Sequence, residues 1–130
     1  MSALTVQIFG TKKCQDTRKA ERFFKERGVA IHAVDLAQKG MSAGELRNVA
    51  ARVGGLEALI DRQGARYVAK GLKYAAPTGP RIEQILVDDP LLLRTPVVRA
   101  GGNATVGYAP EVWAQWLGAA PKAPGGGGRA

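Results

Sequence analysis

Cysteine is almost absent from this chain: Cys14 is the only one in 130 residues. An internal disulfide is therefore impossible, and a cysteine-rich zinc site is excluded. The single histidine, His32, cannot supply the missing ligands of a conventional structural zinc centre. No apolar run approaches the roughly 20 residues that a membrane-spanning helix needs. Carboxylates are the minority charge, 11 against 19 Lys and Arg, which leaves a net charge of +8 and favours anionic partners. The basic residues are spread along the chain and are not interleaved with aromatics, so direct nucleic-acid binding rests on net charge alone and ranks last. A generally solvated basic surface is the simpler account of most of that charge. Met1-Ser2-Ala3-Leu4-Thr5 lacks the basic and then apolar pattern of a secretory signal. The expectation is a reduced, cytoplasmic protein of one domain.

What is present is an ordered alternation of elements. Leu4 to Phe9 alternates apolar and polar residues and runs into Gly10, which reads as a strand. Gly10 to Lys13 is a short basic loop. Asp16 to Arg27 has helical spacing at Ala20, Phe23 and Phe24, with Asp16 as N-cap and Gly28 as stop. Val29 to Val34 is a second strand, closed by Asp35. Strand, helix, strand in one sheet implies a crossover with parallel strands.

Ser42-Ala43-Gly44-Glu45 is a capping box that predicts a helix to about Val53, ended by Gly54-Gly55. Leu56 to Ile60 predicts a short helix. Asp61 to Pro80 is basic and turn-rich and predicts short helical turns. Pro80 suits the first turn of a helix to Val87, with Ile82, Ile85 and Leu86 on one face. Asp88-Asp89-Pro90 ends it, and Leu91 to Leu93 fits a helical turn or a strand. Pro96 to Tyr108 predicts a β-hairpin about Gly101-Gly102-Asn103. Pro110 to Leu117 predicts a last helix with Val112, Trp113, Trp116 and Leu117 on its apolar face. Residues 118–130, with four consecutive glycines, can bury almost nothing and predict a disordered tail after a domain of residues 1–117.

Two parallel strands extended by an antiparallel hairpin, with helices packed on them, is the thioredoxin-like plan: α/β, a mixed four-stranded sheet, and here a helical insertion between the βαβ half and the hairpin-helix half. That plan delivers Cys14 to the N-terminus of the first helix. Only a thiolate is nucleophilic, and unpaired N–H groups at a helix start favour negative charge. Lys12, Lys13, Arg18 and Lys19 add positive field, while Asp16 opposes it. The reading is a low-pKa, reactive Cys14; a buried core cysteine is the alternative. In this plan a cis-proline faces that helix, which points to Thr95-Pro96.

The stretch Phe9-Gly10-Thr11-Lys12-Lys13-Cys14-Gln15-Asp16-Thr17-Arg18-Lys19-Ala20 resembles the opening of the arsenate reductase (ArsC) family, which includes Spx-like regulators and small glutathione-dependent thiol reductases. The likeness continues through Gly55 to Ile60 and Asp88 to Val98, and closes at Val106 to Trp113. It implies a thioredoxin-like fold, Cys14 as nucleophile, and a substrate site built from Lys13, Thr17, Arg18, Arg62, Arg94, Thr95 and Pro96, with no metal and no bound cofactor. Two departures stand out. Thr17 occupies the place of the second cysteine in redox-switch members. Thr95 occupies the place of an arginine in arsenate-reducing members, and Arg94, one step earlier, is expected on the other face of its strand. The resemblance thus implies a single-cysteine reductase whose resolving thiol is external, with glutathione as co-substrate and glutaredoxin as partner, acting on an anionic small molecule or a mixed disulfide. A non-enzymatic Spx-like regulator that binds RNA polymerase is the alternative.

Overall fold

The computed structural model describes residues 5–75 and 78–119. A four-stranded sheet in the order β2-β1-β3-β4 organises them, from β1 (Thr5–Gly10), β2 (Ala30–Asp35), β3 (Val97–Ala100) and β4 (Asn103–Val106). β1 pairs parallel with β2 and antiparallel with β3, and β3 pairs antiparallel with β4. The helices are α1 (Gln15–Glu26), α2 (Ala43–Val53), α3 (Ala65–Ala69), α4 (Leu72–Ala75), α5 (Pro80–Asp88) and α6 (Pro110–Ala119). The short helix expected over Leu56 to Ile60 is a single 3-10 turn, Leu56–Ala58, and the segment left between helical turn and strand is taken up by a second, Pro90–Leu92.

Strand alternation divides the apolar side chains between two cores. On one face Val6, Ile8, Val98 and Ala100 meet Ala20 and Phe24 of α1 and Trp113 of α6. Trp113 is fully buried, and its indole N–H donates to Thr105 Oγ1 at 2.7 Å, which fastens α6 to β4. On the other face Phe9 and Val97 meet Leu46 and Val49 of α2, Ile82 and Leu86 of α5, and Leu59, Ile60, Leu92 and Leu93 of the insertion. At about 25 cal/mol per Å2 of apolar surface, burial of this kind is the dominant stabilising contribution.

Local chemistry sets the boundaries. The Ser42 and Glu45 capping box forms as expected: the Glu45 N–H donates to Ser42 Oγ at 3.1 Å, and the Ser42 N–H to Glu45 Oε1 at 3.0 Å. Gly54 ends α2 at φ 101°, a conformation that a side chain would strain. α6 runs to Ala119, two residues into the segment expected as tail; residues 120–130 lie outside the described residues. The start of α1 is a correction. Asp16 does not cap it: Cys14 is the N-cap, at φ −80° and ψ 117°, and Asp16 is the second helical residue, where a carboxylate still complements the helix dipole.

Candidate active site

β1 ends at Gly10, and a tight turn follows in which the Cys14 N–H donates to the Thr11 carbonyl at 3.2 Å. The first bond of α1 runs from the Arg18 N–H to the Cys14 carbonyl at 3.2 Å. Cys14 therefore stands where helices commonly carry Ser or Asp, whose side-chain oxygen accepts the free N–H groups of the next residues. As a neutral thiol it makes no capping bond. As a thiolate it is an anion in the capping position, and the N–H groups of Asp16 and Thr17 stabilise it.

The opposite wall comes from the segment before β3. The Arg94 N–H donates to the Leu59 carbonyl at 2.7 Å, Asp61 N–H to Leu92 carbonyl at 2.9 Å, and Ile60 bridges Leu93. The insertion thus clamps the chain that leads into Thr95. The Thr95–Pro96 peptide is cis, and the Pro96 carbonyl accepts from the Gly107 N–H at 2.8 Å. Thr95 Oγ1 donates to Cys14 Sγ at 3.0 Å, and Sγ lies 3.8 Å from the Thr95 carbonyl oxygen. Residues 81 apart in sequence share one sulfur.

Thr17 forms the floor. It is 4% exposed, and its hydroxyl is fully buried with no hydrogen-bond partner among the described residues. It packs so tightly against Gly10 that any Cβ there would collide with its side chain. A buried hydroxyl without a partner costs about 1–3 kcal/mol. Among the groups that lower the Cys14 pKa against the effect of burial, the Thr17 hydroxyl counts first.

The direction of the Cys14 pKa follows from opposing causes. Burial pushes the thiol up. Hydrogen bonds from the Thr17 and Thr95 hydroxyls, and from the backbone of Thr17 and Asp16, outweigh it, and the net shift is downward. The direction agrees with expectation, and so does the helix start as one of its causes. The sequence adds the cations Lys12, Lys13, Arg18 and Lys19, which are not among the causes, whereas the Thr17 and Thr95 hydroxyls are.

Cys14, Thr17, Thr95 and Pro96 come together. Lys13 and Arg18 flank them as exposed side chains. Arg94 is exposed, with its guanidinium beside Gly107, and no hydrogen bond or ion pair joins it to Cys14 among the described residues. Arg62 donates to Tyr67 Oη at 3.1 Å and sits 3.6 Å from Glu57, both within the insertion. Gly10 is the site residue that sequence reasoning missed. Its only signal is its place, at the end of β1 and just ahead of the thiol loop.

Residues 9–116 match the model of the ArsC family. The chain belongs to the ArsC family. It is 28% identical over 108 residues to the uncharacterized protein YfgD of Escherichia coli, covering 82% of this chain and 91% of that one. It is 24% identical over 115 residues to global transcriptional regulator Spx 2 of Oceanobacillus iheyensis, covering 88% and 84%. Among solved structures, an arsenate reductase from Vibrio cholerae superposes with a TM-score of 0.75 at 21% identity, over 85% of this chain and 96% of that one. The sheet order and these relatives define the fold as thioredoxin-like α/β.

Proposed function

We propose that this ArsC-family chain is a single-cysteine thiol reductase that uses glutathione. The carrying observation is the environment of Cys14 Sγ, held by the Thr95 hydroxyl at 3.0 Å over the buried Thr17 hydroxyl at a helix start. Such a site favours a thiolate without placing a cation against it. It suits attack on sulfur, whose leaving group carries a single charge. It suits a multiply charged arsenic oxyanion less well, because charge-assisted hydrogen bonds are roughly twice as strong as neutral ones.

The Cys14 thiolate attacks the glutathionyl sulfur of a mixed disulfide. The substrate thiolate leaves and takes a proton from solvent, and Cys14 becomes glutathionylated. Glutathione thiolate then attacks the glutathionyl sulfur on Cys14, oxidised glutathione leaves, and the Cys14 thiolate returns. One glutathione is consumed from solution and the other comes from the mixed disulfide, so that mixed disulfide and glutathione become substrate thiol and oxidised glutathione. With one cysteine in the chain, no internal thiol can resolve the intermediate. Glutaredoxin is the protein that would accelerate the second step, and a reducing cytoplasm is where this cycle runs.

The test is an activity panel with arsenate and a small glutathione mixed disulfide, each supplied with glutathione and glutaredoxin. Turnover of the mixed disulfide that is abolished in Cys14→Ser is the expected result. Unchanged turnover in that variant removes Cys14 from the mechanism. The second reading, a regulator that binds another protein, draws on the likeness to a relative named as a transcriptional regulator. It gains ground if neither substrate turns over while Cys14 alkylates at an ordinary free-thiol pH.

A further inference from the structure

We infer that the face of α1, together with the loop before it, is a docking surface for acidic thiol partners, peptides or proteins whose disulfide is flanked by Asp and Glu. The inference rests on Cys14 being the reacting thiol and adds the class of molecule brought to it.

Residues 12–27 carry seven cations and three carboxylates, a net +4, half the charge of the whole chain. Lys12, Lys13, Arg18, Arg22 and Lys25 are all exposed. Arg18, Arg22 and Lys25 follow one another at helical spacing, so they form a stripe that starts one turn from Cys14. Ion pairing elsewhere makes the contrast. Arg47 pairs with Glu83, Arg62 with Glu57, Arg66 and Lys70 with Asp89, and Arg99 with Glu45. Every one of these lies between residues 45 and 99. Among the described residues, no cation of α1 or its loop joins a carboxylate, although Glu21 and Lys25 stand at the favourable four-residue spacing.

The arrangement runs against local stability. Arg18 and Arg22 are like charges four residues apart, which destabilises a helix. Arg18 and Lys19 sit near the N-terminal end of α1, where the dipole disfavours cations. Four cations of the insertion, Arg47, Arg62, Arg66 and Lys70, meet carboxylates, whereas among the described residues none around the thiol does; there Lys19 packs over the Tyr108 ring and Arg27 donates to the Phe23 carbonyl. An acidic rim on a partner meets this field before contact and brings its disulfide to Cys14, so the charge acts on the rate of encounter. A nucleic acid would also meet the field but presents no sulfur.

The experiment measures the rate at which Cys14 of the full chain attacks three probes in stopped flow. Two are 2-thiopyridyl disulfides of peptides of equal length, one with Glu and one with Gln around the cysteine; the third is neutral 4,4′-dithiodipyridine. At about 20 mM ionic strength the Glu peptide is expected to react about tenfold faster than the Gln peptide, and the preference should vanish near about 0.5 M salt. Arg22→Glu with Lys25→Glu should slow the Glu peptide severalfold and leave dithiodipyridine unchanged. Equal rates for the two peptides, or a double variant that keeps the preference, would overturn the inference. If dithiodipyridine itself fails to react, the thiol reading falls, and the surface is then read by fluorescence anisotropy of the Glu peptide on Cys14→Ser. Salt-sensitive binding lost in the double variant upholds the surface; no binding refutes it. A DNA duplex that displaces the peptide at lower concentration also refutes it, in favour of nucleic acid.

Discussion

A sulfur in the N-cap position does work that oxygen does in most helices. Oxygen caps at any pH, because Ser and Asp accept in their ordinary states. Cys14 caps well only as an anion, so closing the end of α1 and ionising the thiol are one event. Thr95 and Thr17 add donors from two directions, one shared by the thiol and one waiting for it. Thr95→Val keeps the shape and removes the donor. Its expected outcome is an alkylation midpoint moved to higher pH and a rate at pH 7 lower by roughly three- to tenfold, in line with a hydrogen bond to a charged group. In the natural protein the midpoint should lie below the free-thiol value of about 8.5. A natural midpoint at or above that value, or a Thr95→Val profile that overlays it, contradicts the assignment of these donors.

At the scale of elements, the insertion holds the Thr95 loop in place, and Asp89 holds the insertion. This carboxylate, 11% exposed, receives Arg66 Nε at 2.8 Å and Lys70 Nζ at 3.0 Å, which ties α3 and the residue after it to the end of α5. Burial pushes the Asp89 pKa up, but the hydrogen bonds and charges of Arg66 and Lys70 win and bring it below the ordinary value. A carboxylate lowered on folding stabilises the fold above the unfolded pKa of about 3.9 and loses that contribution as pH falls through the folded value. Asp89→Asn should cost about 2 kcal/mol near pH 7, less than a fully buried pair because both cations are half exposed. Denaturant titrations of both proteins should begin to converge below about pH 4 and meet once the pH is below the folded value; a gap that persists there means the loss is packing. Little of this was legible in sequence. The capping box, Pro80 and the glycine turn of the hairpin could be read because each acts within four residues. Asp89 was legible only as a helix stop, since its partners lie 23 and 19 residues away. The same limit explains the cause of the low thiol pKa. Lys12 and Lys13 are visible beside Cys14 in a line of text, whereas the Thr95 hydroxyl reaches it only through the fold.

At the scale of the whole molecule, the ion pairs among the described residues fall in one stretch of the chain. They run through residues 45–99, while α1 and its loop carry +4 with no carboxylate partner among the described residues. These two populations respond oppositely to salt. Exposed ion pairs weaken as salt screens them, each worth about 0–1 kcal/mol at most. Repulsion among unpaired like charges weakens too, and that relief stabilises the compact state. With a net charge of +8, repulsion should dominate. Raising sodium chloride from about 0.02 to about 0.3 M is therefore expected to increase Tm by a few degrees, equivalent to about 1 kcal/mol. Arg22→Glu with Lys25→Glu lowers the net charge by four and offers Arg18 a glutamate at position 22, so the salt response should shrink and the low-salt Tm should rise. The same double variant that blunts capture of acidic partners thus makes the free protein more stable. A fall in Tm with salt in the natural protein, or a low-salt Tm that drops in the double variant, would show that the α1 cations already serve the fold, and their freedom to meet a partner would go with it.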